Sequence, residues 1–425
     1  MNKKIDVILE IIKPGIGLDT KEYLKYKNED IDWDDIYNFV VLNDIATMTY
    51  DPVYAILKDR EEYQDLLTRW QAKAKGLGCY QVQHLFNVKE VYNKLEMAGM
   101  EPVLFKGNII GDLYQEDFYR PSKDTDILVE KNKVKAATAI IESMEYKYDA
   151  IKSKAEVLVF YNRMLSHKIE LHSCLWEDYK GKRMDILRQL GLDSRSNYGW
   201  EDTKMGKFRT LEPTNHLIFQ IFHIAKHFTV SGIGIKYLTD ITAFVNRYCE
   251  EIDATRFWEG MLKLDYVKFS RFLFNLCSKY LGMTKKLNIF KAEALSFEEE
   301  DIQMFIDDVI HVGDIKNSGI RDYQMLSVME PYMKGEEKKE AGILEKTIKR
   351  AFPGKKQLSD HYSYAKTNGA LLPIAWLHKA FVFLVKKLFK KDLSASENTL
   401  SNEEKEKKFQ YRIKLLKITG LLDEK

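Results

Sequence analysis

Residues Leu104–Val129 read LFKGNIIGDLYQEDFYRPSKDTDILV. The short apolar run Pro102–Phe105 predicts a strand, and Lys106-Gly107 a tight turn. A helix should follow from Asn108 to about Tyr114, and Pro121-Ser122 should turn the chain again. Asp124-Thr125-Asp126 then stands at the mouth of a second strand with the aliphatic run Ile127–Val129. Alternate residues of a strand share a face, so the two carboxylates point the same way. They repel unless a cation sits between them. Gly107 lets backbone N–H groups approach a phosphate closely, and the helix that follows brings a partial positive charge. Lys106 is either a phosphate contact or a surface residue at a strand end, and Arg120 can pair bidentately with phosphate or with a carboxylate of the site. An Asp pair is often only a polar turn. Beside a Gly turn it predicts a Mg²⁺ site and phosphoryl chemistry.

Such a site needs a third carboxylate. Downstream, Lys133–Met144 predicts a helix and Tyr146–Ala150 a short strand. Glu156–Tyr161 and Lys168–His172 predict a hairpin across Asn162-Arg163. Within Lys168-Ile-Glu-Leu-His172, Glu170 and His172 share one face and the aliphatics the other. Glu170 is the candidate third acid. Residues 99–205 therefore read as a small mixed-sheet α/β core.

Helices are expected on both sides. Residues 1–98 show apolar spacings of three and four at Ile36–Asn43, Tyr63–Leu77 and Val82–Met97, with Gly76 and Gly78 marking a break between the last two. Residues 206–345 predict a helical bundle, with helices at Asn215–Phe228, Ile235–Cys249, Phe269–Leu281 and Glu298–His311. Residues 346–425 predict a further helical region, with a polar linker near 393–402 and a charged helix at Glu403–Leu422. The fold class is α+β.

His216, Gln220, His223 and His227 form one stripe on an apolar helix. Position 224 is Ile, so the glutamate of a HExxH zinc site is absent. The stripe is either a polar seam between helices or a wall of the nucleotide cleft containing His223 and His227. Lys236 and Asp240, four apart on the next helix, either pair with each other or join that wall. Trp376–Lys391 is aromatic, apolar and basic. It reads either as a core helix with a solvated end or as a segment in peripheral contact with an anionic membrane.

Lys plus Arg number 66 against 64 for Asp plus Glu, a balance that argues against a nucleic-acid binder. The four cysteines are widely spaced, with no metal-ligand pattern, so a reduced, cytoplasmic setting is expected. No apolar run reaches the roughly 20 residues that span a bilayer.

The motif FKG, FYR and DTDILV followed by KIELHS resembles the DNA polymerase β-like nucleotidyltransferase superfamily. More narrowly it is similar to an uncharacterised bacterial nucleotidyltransferase family with flanking helical regions, over about residues 30–390. The segments near His223 and Phe352-Pro353 share in that likeness. The resemblance implies Asp124, Asp126 and Glu170 as catalytic metal ligands for Mg²⁺ or Mn²⁺. It implies an NTP co-substrate bound with help from Lys106, Gly107, Asn108, Arg120, His172, His223, His227, Lys236 and Asp240. The acceptor class, whether sugar, metabolite, peptide or protein, stays open. Asn108 stands where the superfamily has Ser or Gly, and the interval from Gly107 to Asp124 is long. A degenerate, binding-only scaffold on the same fold is the alternative.

Overall fold

The computed structural model describes residues 3–175, 182–192, 194, 197–284, 297–317, 364–365, 368–378 and 402–422. The chain forms two compact units, Met1–Lys316 with Lys408–Lys425, and Asn317–Lys407. The site lies in the first.

Alternating aliphatic and polar residues build a five-stranded sheet from β1 (Val103–Leu104), β2 (Thr125–Leu128), β3 (Lys147–Tyr148), β4 (Val157–Asn162) and β5 (His167–His172). The order is β1-β2-β5-β4-β3; β2 and β5 run parallel and the other pairs antiparallel. Asp126 stands opposite Glu170, and Leu128 opposite His172. The alternate residues Ile127, Ile169 and Leu171 are fully buried on the other face. They pack with Phe160, with Val88, Val91 and Leu95 of α4 (Gln64–Met97), and with Ala137 and Ile141 of α6 (Val134–Ser143). One face is thus apolar core. The other is left for chemistry, and the whole is the expected α+β fold.

Ahead of the sheet lie α1 (Lys3–Ile12), α2 (Trp33–Leu42) and α3 (Ala46–Leu57). The break predicted at Gly76 and Gly78 does not occur. Instead α4 runs unbroken for 34 residues. Two interior glycines cost about 1 kcal/mol each. Each fully buried aliphatic such as Val88, Val91 or Leu95 returns about 1.5–3 kcal/mol, so packing wins. The helix expected after the Gly turn is shorter than predicted: α5 spans Gly107–Ile110 and tightens into a 3₁₀ turn at Gly111–Leu113.

After α7 (Lys182–Leu190) comes a hairpin that was not anticipated, β6 (Tyr198–Thr203) with β7 (Gly206–Leu211). It straddles residue 205, and β7 lies against β1. The bundle follows: α8 (Pro213–Ser231), α9 (Ile235–Tyr248), α10 (Ala254–Leu264) and α11 (Val267–Tyr280). Sequence reading also missed α10, although Asp253 caps it by accepting from the Arg256 N–H at 3.0 Å. Helix α9 packs on α5 and on the 3₁₀ turn after it, which sets the bundle against the Gly-turn segment. In the same unit α12 (Glu299–Asn317) is tied to α13 (Asn402–Ile418) by Arg412 Nη1 donating to Asp308 Oδ2 at 2.6 Å.

In the second unit the described residues include a small core of Ala365 and Ala375 with Leu371 and Leu372. The linker at Gly335–Glu340, the Phe352-Pro353 segment, residues 379–391 of the aromatic basic stretch, and 393–401 lie outside the described residues. Among the described residues no helix is long and apolar enough to cross a membrane.

Candidate active site

The parallel pairing of β2 with β5 brings Asp126 and Glu170 side by side, and the pleat puts His172 on the same face. Asp126, Glu170 and His172 each offer one ligand atom, and these atoms all lie within 4.8 Å of one another. The His172 Nε2–H donates to Asp126 Oδ1 at 3.0 Å, and the same nitrogen lies 3.9 Å from Glu170 Oε2. Its Nδ1 is buried without a hydrogen-bond partner among the described residues. That nitrogen can carry the ring proton when Nε2 turns to a cation. Burial pushes the Glu170 carboxyl above its usual range, and the neighbouring Asp126 charge pushes it further. Burial works the same way on Asp126, but the Lys106 ammonium and His172 outweigh it and hold the group well below the usual range. Two crowded carboxylates beside an imidazole suit a small divalent cation.

Asp124 precedes β2 and is not in this tight cluster. Its half-exposed carboxylate pairs through Oδ2 with Lys168 Nζ at 2.9 Å, and Lys168 also reaches Glu170 Oε1 at 2.8 Å. Burial opposes the charge on Lys168, but Asp124 and Glu170 more than offset it and raise its pKa. Lys106 pairs with Asp126 Oδ1 at 2.6 Å. It adopts φ 60°, a left-handed conformation that a side chain tolerates only where its surroundings enforce it. At the next residue, Gly107, a Cβ would fall 2.3 Å from both Arg120 Nη1 and Ser122 Oγ, so a larger residue there would have to displace those side chains.

Residues 29–282 match the model of a family described as uncharacterised nucleotidyltransferase. The chain belongs to that family. The match takes in both strand carboxylates, the Gly turn and α8 through α11, and it ends short of the residue 390 that sequence reading had reached. No curated protein and no solved structure is matched.

In this nucleotidyltransferase the long interval between Gly107 and Asp124 has a structural use. Arg120 binds Asp240 of α9 in a fork, Nε to Oδ1 at 3.0 Å and Nη2 to Oδ2 at 2.7 Å, and its Nη1 reaches Ser122 Oγ at 2.9 Å. Tyr114 donates to Asp240 Oδ1 at 2.7 Å and lies 2.8 Å from Thr239 Oγ1. Arg120, read as a bidentate partner for phosphate or for a carboxylate, here takes the carboxylate of Asp240, and the pair is a buried clamp that fastens the segment after the Gly turn to the bundle. Lys236 and Asp240 do not pair with each other.

Asn108 was expected at the triphosphate. It is 2 % exposed, and its Oδ1 accepts from His84 Nε2 at 3.0 Å. His84 meets His167 edge to face at 4.8 Å, and His167 links Thr125 Oγ1 at 2.8 Å to the Tyr146 hydroxyl at 2.5 Å. Burial lowers the pKa of both histidines, that of His167 to about 3, so each is neutral at pH 7. This network anchors the turn and the start of β2 from behind. Gln81 adds to it by accepting from the Ser122 N–H at 2.8 Å. Gln81 and His84 sit on the core side of α4, a place that gave no sequence signal beyond two polar residues among apolar ones.

The stripe on α8 divides. His216 and Gln220 are buried, and burial drives the His216 pKa down to about 3; His216 Nε2 and both polar side-chain atoms of Gln220 find no hydrogen-bond partner among the described residues. His223 and His227 are half-buried, 4.4 Å apart between ring centres, and lie near Tyr237 of α9. Burial depresses the His223 pKa well below its usual value, and the Lys106 charge adds to this. Lys236 is half-buried, and its ammonium forms no salt bridge among the described residues. Burial, then the Arg120 charge, lowers its pKa to about 8. A cleft of about 560 Å³ between Glu101, Glu130, Tyr198 and Arg209 is bordered by none of the expected site residues.

Proposed function

We propose that this nucleotidyltransferase moves a nucleoside monophosphate from an NTP to a hydroxyl or phosphate acceptor, using Mg²⁺ or Mn²⁺. The observation that carries the reading is the convergence of Asp126, Glu170 and His172 beside the Gly107 turn, in a chain of this family. Those three side chains would hold the cation, which when bound neutralises phosphate charge and polarises the α-phosphoryl group. Glu170, its carboxyl raised by burial, accepts the proton of the acceptor hydroxyl. The freed oxygen bonds to the α-phosphorus, the bond from that phosphorus to the bridging oxygen breaks, and pyrophosphate leaves. Lys106 exchanges Asp126 for a phosphate oxygen, and the backbone of the Gly turn approaches the triphosphate. Asp124 supports the site through Lys168. His223, His227 and Lys236 form the wall on the bundle side. None of the four cysteines is joined in a disulfide, which fits a reducing compartment such as the cytoplasm.

The test is incubation with NTPs labelled at either the α- or the γ-phosphate, together with sugar, nucleotide, peptide and protein acceptors. Transfer of α-label with release of pyrophosphate, abolished by chelation, is expected. Transfer of γ-label would make the protein a kinase. No transfer from any NTP, with no thermal shift on adding Mg²⁺ and NTP, would favour the binding-only scaffold.

Lys236 yields a pH prediction. Its charged form, which attracts phosphate, prevails below about pH 8 and is lost above it. The KM for NTP should therefore climb as pH rises from 7.5 to 9.5. Lys236→Arg, with a charge that does not titrate in this range, should flatten the profile. A wild-type KM that stays level across that range would remove Lys236 from the nucleotide wall.

A further inference from the structure

Lys168, Glu170 and His172 lie on one face of β5, and Asp126 of β2 and Asp124 just before it meet them. This leaves three carboxylates and two ammonium groups in one cluster. The two lysines do different things. Lys106 pairs with Asp126 from a turn with φ 60°, and is placed to move to a phosphate. Lys168 projects from within a strand and bridges two carboxylates, at 2.9 Å from Asp124 Oδ2 and 2.8 Å from Glu170 Oε1. A divalent ion between those same two oxygens would sit about 2.0–2.2 Å from each. The ammonium and such an ion cannot share that gap. Without a cation there, Asp124 and Glu170 would face each other as bare charges.

We propose that the site takes a single divalent cation, at Asp126, Glu170 and His172, and that Lys168 fills the place of a second, binding Asp124 to Glu170 as a built-in counter-cation. This rests on the cation-centred reading above. It makes Lys168 a positioning residue for both carboxylates.

The experiment is a Mn²⁺ titration of the full-length protein, with free ion followed by electron paramagnetic resonance. Wild type is compared with Lys168→Met, which keeps the unbranched stem but not the charge, Lys168→Arg, which keeps the charge, and Asp126→Asn. Circular dichroism checks that each variant is folded. One bound ion is expected in wild type and Lys168→Arg, two in Lys168→Met, and none in Asp126→Asn. Two ions in wild type, or one in both wild type and Lys168→Met, would overturn the place given to Lys168 and leave the proposed function standing. No bound ion in any of the four proteins, or a single ion that survives Asp126→Asn, would overturn the cation centre itself and the inference with it.

Discussion

Asp126→Asn is expected to reduce turnover by about a thousandfold or more, equivalent to about 4 kcal/mol of lost transition-state stabilisation. The amide keeps the side chain's shape but removes the charge that meets Lys106 at 2.6 Å and the His172 N–H at 3.0 Å. Lys106 has 17 % side-chain exposure, so its ammonium would then face a neutral group with little water nearby. A stability loss of about 1–3 kcal/mol should accompany the loss of activity. Asp124→Asn provides the contrast. That side chain is 37 % exposed, and solvent screens its pairing with Lys168, so its activity should fall while its stability barely moves. Steady-state kinetics with Mg²⁺ and urea unfolding of both variants check this. Full turnover in Asp126→Asn would remove that residue from the site.

The largest effect on stability is expected at the clamp. Asp240→Ala leaves the Arg120 guanidinium, with 15 % side-chain exposure, without its two-point partner, and takes one hydrogen bond from Tyr114. Breaking one side of a buried ion pair costs about 3–5 kcal/mol. Replacing both partners, as in Arg120→Met with Asp240→Leu, removes the stranded charge and should cost much less than the sum of the single changes. The singles Arg120→Met and Asp240→Leu and their double, followed by denaturant unfolding, complete the cycle. Additive losses would mean that the pair does not fasten the Gly-turn segment to α9. Because the clamp backs Gly107, the singles should also raise the KM for NTP.

The strands and the acids were legible in the sequence because a pleated sheet with one buried face writes its alternation directly into the chain. Ile127 between Asp126 and Leu128, and Leu171 between Glu170 and His172, announce which side chains share a face. The parallel register that sets Asp126 opposite Glu170 was not written anywhere locally. It is a tertiary choice, and the shared superfamily pattern stood in for it. Lys168 was overlooked although the alternation that marked Glu170 and His172 marks it equally, two residues earlier. Arg120 was read as a partner for phosphate or for a site carboxylate, and Asp240 as part of a salt bridge with Lys236 or of the cleft wall. The pairing of Arg120 with Asp240 spans 120 residues of chain and no spacing rule reports it. Asn108 was read as a substitute for a phosphate-binding side chain. Its partner, His84, lies on a helix that gave only an apolar repeat.

The failures at Gly76 and Gly78 and at the β6–β7 hairpin have opposite causes. In α4 the packing of one face overrode two poor helix formers. In the hairpin β7 buries Phe208 and Leu211, but Trp200 is half-exposed and no residue of β6 is fully buried, so β6 gave too little apolar pattern to separate from a polar loop. The turn at Gly206, with φ 138°, was the signal that could have found it.

The central claim is that Asp126, Glu170 and His172 surround one catalytic cation next to the Gly107 turn. Anomalous diffraction from crystals soaked with Mn²⁺ and a non-hydrolysable NTP analogue tests it most directly. A manganese peak within coordination distance of Asp126 and Glu170, with the α-phosphate alongside and Lys106 moved onto a phosphate oxygen, is the predicted result. A nucleotide bound elsewhere, or a map with no manganese between those two carboxylates, would contradict it.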